Sequence, residues 1–260
     1  MKFCRGRVKE IADVFTFMRY EKKYLITESE KDELLAEIGE FLIPDPHGRS
    51  TICSLYLDTD DFLLIRNSID AKVYKEKLRL RSYGTPSRDD KVFLEIKKKY
   101  KGVVYKRRIS LTLEQAENYI NNGIRPEESQ IMREIDYAMS FYKHPVPRML
   151  IAYDRDAYYV KDMPHLRLTF DTNLRYRNGS LYLEHGSEGS SLLPEGKYIF
   201  ELKTDGAMPL WLSHALDKFK ILPASFSKYG TAYRRTYLNE NFEDTLQNDT
   251  KGTNEHALSL

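Results

Sequence analysis

An α+β fold closed around one largely antiparallel sheet is the architecture this sequence predicts. Three observations point to it. Segments of alternating apolar and charged residues recur along the chain, and each is separated from the next by a turn signal. Between them stand a few amphipathic stretches with helix-start spacing. The aromatic complement is 19 tyrosines against one tryptophan, which suits half-buried strands, where a ring packs and its hydroxyl stays wet.

Residues 1–15 are a short leader. The first strand spans 16–26, and Thr27 followed by Glu30 is a capping box that opens an acidic helix ended by Pro44-Asp45-Pro46. Strands follow at 51–58, 72–83, 91–99 and 103–111, with turns at Ser82 to Pro86 and at Lys101-Gly102. Thr112 and Gln115 form a second capping box, and Asn122-Gly123 stops that helix. A third helix covers 128–142. The second half brings strands at 148–160, 165–173 and 197–203, a hairpin turn at Asn178-Gly179, and a helix over 207–220. That helix is expected to group Leu210, Trp211, Ala215, Leu216 and Phe219 on one face. The domain is expected to occupy 16–238, with an acidic, disordered tail over 239–260.

Composition excludes several classes. With 41% hydrophobic and 31% charged residues over 260 positions, the chain is globular. Its longest apolar runs, such as Phe62 to Ile65, are too short to span a bilayer. Its first residues lack the apolar stretch of a signal peptide. Two cysteines, Cys4 and Cys53, have neither metal-ligand nor redox spacing, and the histidines are scattered. A cytoplasmic location is the expectation. The net charge of +2 conceals an uneven distribution: Lys72 to Arg108 holds fourteen Lys or Arg against Glu76, Asp89, Asp90 and Glu95. Such density predicts an anionic ligand unless the charges merely face solvent.

Strand periodicity sorts those charges. Leu78 and Leu80 share one face while Lys75, Lys77, Arg79 and Arg81 share the other. Val92, Leu94 and Ile96 oppose Glu95, Lys97 and Lys99, and Lys106 aligns with Arg108. Glu21 aligns with Lys23, Tyr153 with Arg155, Arg167 with Asp171, and Glu201 with Lys203. Two architectures fit: a sheet with a wet polar face, or a barrel with a polar lumen and helices over its apolar outside. A lumen with so many cations needs paired glutamates or an anion within it.

The segments RYEKKYLI (19–26), KLRLRSYG (77–84), FLEIKKKYKGVVYKRRISL (93–111), YDRDAY (153–158), RLTFDTNL (167–174), FELK (200–203) and SKYG (227–230), in this order, resemble the VTC domain. That is the catalytic domain of polyphosphate polymerases, within the triphosphate tunnel metalloenzyme superfamily. The resemblance implies an antiparallel eight-stranded β-barrel, a tunnel with a polar, basic lumen and helices packed outside. It implies a polyphosphate polymerase that transfers the γ-phosphoryl of ATP to a growing inorganic polyphosphate chain and releases ADP, with a divalent metal, Mn²⁺ or Mg²⁺. By the same resemblance Arg79, Arg81, Lys97, Lys106, Arg155 and Arg167 are catalytic. Lys23, Tyr153, Ser227 and Lys228 bind substrate, and Glu201 is the metal ligand. Arg19 stands where the superfamily's opening ExExK has its first glutamate, a departure typical of VTC-like members. Glu21 and Glu95 are either further metal ligands or partners of tunnel lysines, and Tyr153 either stacks on nucleotide or lines the wall.

The alternatives are a metal-dependent tripolyphosphatase or nucleoside triphosphatase using water as acceptor, and a non-catalytic polyphosphate-binding module. ATP and inorganic polyphosphate are the expected partners. Nucleic acid is not expected, since stacking aromatics beside the basic strands are missing from the pattern. No counterpart is seen of the phosphate-sensing domain and membrane helices of eukaryotic complexes, so a membrane-protein partner stays open.

Overall fold

Two threonines set the frame of the chain. Thr27 and Thr112 each accept a hydrogen bond from the backbone three residues on, and Glu30 and Gln115 bond back to the cap, so both capping boxes form as their spacing predicts. The computed structural model describes residues 20–244 apart from 72, 102 and 243. The leader, Arg19 with the start of the first predicted strand, and residues 245–260 of the tail lie outside the described residues.

The strands are β1 (Tyr20–Thr27), β2 (Leu42–Pro44), β3 (Ser50–Asp58), β4 (Tyr74–Tyr83), β5 (Lys91–Tyr100), β6 (Val103–Thr112), β7 (Val146–Val160), β8 (Met163–Arg177), β9 (Ser190–Ser191) and β10 (Lys197–Thr204). The helices are α1 (Glu28–Ile38), α2 (Leu63–Asp70), α3 (Leu113–Asn122), α4 (Gln130–Phe141), α5 (Leu210–Lys218) and α6 (Lys228–Tyr237). Eight strands follow one path, β1-β10-β8-β7-β3-β4-β5-β6, and every pair is antiparallel. The short β2 and β9 add to β7 and β8.

The ring is not closed by backbone hydrogen bonds, because β1 and β6 end the path without pairing to each other. Side chains bridge the gap instead: Lys97 of β5 reaches Glu21 of β1 at 2.8 Å.

Alternation separates the layers as predicted. The outer face of β3 to β6 (Leu55, Leu57, Leu78, Leu80, Leu94, Ile96) packs against Leu113 and Ala116 of α3 and Met132 and Ile135 of α4. The outer face of β1, β10 and β8 (Tyr24, Ile26, Phe170, Phe200, Leu202) packs against α1 and α5 through Leu34, Ile38, Leu212 and Leu216.

Helices do not all lie outside, however. A third apolar cluster, with Ile52, Met149, Ile151 and Ile199 from the inner faces, receives Ile65 of α2 and Tyr229 and Ala232 of α6. Neither helix is evident in the sequence. The first turn of α2 has no capping side chain of its own; Asp58, at the end of β3, accepts from the amides of Leu64 and Ile65. In α6 the run KYGTAYRRTY has weak intrinsic helix preference. Packing against the inner wall supplies what propensity lacks.

Smaller departures have local causes. The acidic helix stops at Ile38, and a 3₁₀ turn over Gly39–Phe41 leads into β2. Asn178-Gly179 is not a tight hairpin, since the chain makes a 3₁₀ turn at Leu183–His185 before β9 returns to β8. The tight reversal is at Lys161-Asp162 between β7 and β8, with Asp162 at φ 58°. On α5, Leu210 is exposed and Leu212 buried, while Trp211 stacks on Phe41 with ring centroids 4.4 Å apart. Among the described residues no helix is long and apolar enough to cross a membrane.

Candidate functional site: a cation-lined lumen

The inner faces carry the charges that periodicity assigned to them. On the wall formed by β4, β5 and β6, Glu95 is buried at the centre. Arg79 bonds it at 2.7 Å, Lys106 at 2.6 Å, and the Arg81 Nε lies 4.0 Å away. Burial would raise the Glu95 carboxyl, but Arg79, Arg81 and Lys106 outweigh it and hold the group well below the usual carboxylate range. Arg79 also donates to the Tyr56 hydroxyl at 3.3 Å, and Arg81 to Ser54 at 3.4 Å and to the Tyr153 hydroxyl at 3.2 Å. Lys106 keeps 36% of its side chain exposed; partial desolvation, with repulsion from Arg79 and Arg81, lowers its amine against the pull of Glu95.

The opposite wall, from β1, β10, β8 and β7, is organised on two buried carboxylates. Asp171 is fully buried; Arg155 binds it through Nε and Nη2 at 2.5 and 2.6 Å, and Lys228 at 2.7 Å. One Glu201 oxygen faces Lys228 at 3.1 Å and Lys23 at 3.9 Å; the other faces Lys203 at 2.9 Å and the Arg155 Nη2 at 3.4 Å. Burial alone would lower Lys228, yet Asp171 and Glu201 reverse that and keep it charged beyond its ordinary range. Burial brings Lys203 down to about 8 despite Glu201.

The chain segment entering α6 joins the walls. Lys23 donates to the Phe226 carbonyl at 2.6 Å, and Lys77 donates to the Ser227 hydroxyl at 2.9 Å. Ser227 is the N-cap of α6 and accepts from the Gly230 amide. A Cβ at Gly230 would lie 3.0 Å from the Ser227 oxygen, so glycine lets the cap sit against the helix.

Of the residues selected from sequence, the lumen gathers Lys23, Arg79, Arg81, Lys97, Lys106, Tyr153, Arg155, Glu201, Ser227 and Lys228. Arg167 stands apart at the rim: its guanidinium pairs with Asp45 at 2.6 Å and lies over the Tyr159 ring. Tyr153 is buried in the wall, with Arg155 and Lys228 over its ring at 5.1 and 4.7 Å. Glu21 and Glu95 both pair with cations, Lys97 in the first case and Arg79 with Lys106 in the second. Selection from sequence left out Lys77, Asp171 and Lys203, although each sits two residues from a selected or face-sharing neighbour, which was the available signal.

A divalent ion needs hard oxygen ligands, and Glu201 is the carboxylate best placed to offer one. Among the described residues no group of three or more His, Cys, Asp or Glu gathers to hold a metal. Both Glu201 oxygens already face cations, so the residues present would offer an ion one carboxylate in exchange for those contacts, its other oxygens coming from phosphate and water.

Comparison with known proteins agrees with this architecture. No curated protein matches the chain. Among solved structures, a proposed adenylate cyclase from Bacillus halodurans is 13% identical with a TM-score of 0.53, covering 85% of this chain and 98% of that one. A proposed adenylyl cyclase from Hippeastrum, described as having a dominant triphosphatase activity, is 18% identical with a TM-score of 0.49, covering 84% of this chain and 96% of that one. The first likeness is one of fold. The model of the VTC domain matches residues 18–237, which takes in every strand and helix that lines the lumen, and the chain belongs to the VTC-domain family.

Proposed function

We propose that the lumen binds the triphosphate of ATP and that the protein transfers its γ-phosphoryl to a growing inorganic polyphosphate chain, releasing ADP. The observation that supports this most is the excess of cations on the β4–β5–β6 wall, where Lys77, Arg79, Arg81, Lys97 and Lys106 share the inner face with one buried carboxylate, Glu95. An anion with several linked charges is the ligand that balances such a wall.

Phosphoryl transfer asks the protein to position reactants and neutralise charge on the moving group. A terminal phosphate oxygen of the acceptor chain attacks the γ-phosphorus in line, the new P–O bond forms, and the bond to the β–γ bridging oxygen breaks with its electron pair leaving on ADP. No side-chain nucleophile and no proton are consumed. Arg79 and Arg81 are held in place by Glu95, Tyr56, Ser54 and Tyr153, so little ordering remains for their guanidinium groups when phosphate oxygens arrive. Lys97, Lys106 and Lys228 act as point charges along the chain, Arg155 contributes from the opposite wall, and Lys23 and Ser227 seat the phosphates near α6. Arg167 guides substrate at the rim. Glu201 would hold a divalent metal, which when bound supplies Lewis acidity and further charge neutralisation at the phosphate oxygens.

Incubating the protein with ATP and Mn²⁺ and resolving the products on a gel tests this. Long phosphate chains support the polymerase. Orthophosphate alone identifies a hydrolase, and unchanged ATP a binding module. Turnover that persists in EDTA would remove the metal from the scheme.

A further inference from the structure

One inner-face row differs from its neighbours. Lys77 of β4 lies directly opposite Lys97 of β5, which lies opposite Lys106 of β6. Three lysines thus stand across adjacent strands about 4.8 Å apart. The next row, Arg79, Glu95 and Arg108, has a carboxylate at its centre. Like charges placed directly opposite destabilise a sheet.

Two of the three lysines have carboxylate partners: Lys97 holds Glu21 and Lys106 holds Glu95. Lys77 has the Ser227 hydroxyl, and among the described residues no carboxylate pairs with it. The groups facing it are Lys75 and Arg79 from its own strand, Lys97 from β5, Lys23 from β1 and Ser227 at the start of α6. Two other carboxylates of the lumen, Glu21 and Glu201, are taken up by Lys97 and by Lys23, Lys203 and Lys228.

We propose that Lys77 is a further phosphate-binding residue of this lumen, whose amine takes up a solvent proton when a chain of three or more linked phosphates enters above neutral pH. The proposal rests on the reading of the lumen as a triphosphate site. Burial and the surrounding cations, Lys23, Lys97, Lys75 and Arg79, lower Lys77 to about 7. An entering polyanion replaces that repulsion with attraction and restores the proton. Linkage fixes the sign: binding takes up protons above pH 7, so affinity falls as pH rises through that range, by up to about tenfold per unit for one proton. A single orthophosphate cannot span the row and gains little from it.

The test is calorimetric titration of the full chain with inorganic tripolyphosphate at pH 8 in two buffers of different ionisation heat. Wild type, Lys77→Arg and Lys77→Met are compared, so the ligand's own protonation cancels in the differences. Wild type should take up about one proton more than Lys77→Arg, whose guanidinium stays charged throughout. Lys77→Met should bind more weakly than wild type at pH 6.5 and converge with it by pH 9. Equal proton uptake in wild type and Lys77→Arg, or a Met deficit of the same size at both pH values, overturns the assignment of Lys77. Failure of wild type to bind tripolyphosphate at any pH overturns the phosphate-site reading itself, and this proposal with it.

Discussion

The two walls of the lumen share a fold and differ in how they balance charge. On the β4–β5–β6 wall, Glu95 alone faces Arg79, Arg81 and Lys106, with Lys77 and Lys97 beside it. On the opposite wall, Asp171, Glu201 and Glu21 answer Arg155, Lys228, Lys203 and Lys23 almost charge for charge, and Glu21 also serves Lys97 across the gap. The balanced wall is an internal ion-pair lattice that holds itself together. The unbalanced one is stable only because part of its charge is relieved, and it is the surface an anion should seek. Cations removed from the first wall should therefore cost function. Carboxylates removed from the second should cost the fold.

The largest expected effect tests the unbalanced wall. Arg81 is buried with its fork held by Ser54 and Tyr153, whereas Lys99 is exposed at the open end of the same face. Arginines that meet the transferring phosphoryl contribute about 10³ or more in rate, so Arg81→Ala should lower kcat by that order and Lys99→Ala by little. The pair of kcat values decides it. Equal losses would mean that general attraction, and not placement, is at work.

The next effect tests the balanced wall. Asp171→Asn leaves the buried Lys228 and the part-buried Arg155 with Glu201 as their remaining carboxylate. Breaking one partner of a buried pair costs about 3 kcal/mol, readable as a drop in the denaturant midpoint of the ligand-free protein. The same measurement on Lys77→Met should show a nearly level midpoint, because that substitution strands no buried carboxylate. A loss in Lys77→Met as large as that in Asp171→Asn would erase the distinction between the walls.

This contrast also explains what could be read from sequence. Period-two alternation put Arg79, Arg81, Lys97 and Lys106 on one face, and the lumen has them there. Capping boxes at Thr27 and Thr112 were legible because a cap is a local, side-chain-encoded event. What was illegible depends on residues far apart in the chain. The start of α2 is encoded by Asp58, on the preceding strand. Beyond the neighbouring Lys203, the environment of Glu201 comes from Lys23, Arg155 and Lys228, far along the chain, and only the fold completes the four-cation nest. The rim position of Arg167 depends on Asp45, 122 residues away in the chain. The missing backbone closure between β1 and β6 has no sequence mark at all.

A third test asks whether a phosphate chain completes the unbalanced wall. A ligand that binds only the folded state stabilises it by about 2.7 kcal/mol at a hundredfold excess over Kd. Tripolyphosphate at that excess should raise the melting temperature, and AMP should raise it less. In Arg81→Ala and Lys77→Met the gain from tripolyphosphate should shrink. Stabilisation by adenosine equal to that by tripolyphosphate would point to a nucleoside pocket instead.

The smallest effect concerns the residue that belongs to both walls. The ring of Tyr153 lies under Arg155 and Lys228 of the balanced wall, while its hydroxyl accepts from Arg81 of the unbalanced one. Tyr153→Phe keeps the ring and its cation contacts and deletes only the acceptor. One such hydrogen bond to a charged group contributes about 1.5 kcal/mol, and Arg81 retains Ser54 and the nearby Glu95. The loss should therefore appear in kcat, as a drop of about tenfold or less, far short of that for Arg81→Ala. The denaturant midpoint should move little. In the double variant with Arg81→Ala the Tyr153 effect should vanish, since the hydroxyl then has no guanidinium to orient. If Tyr153→Phe lowered activity just as much in the Arg81→Ala background, the hydroxyl would be acting on substrate directly, and Tyr153 would be a binding residue and not the strut between the walls.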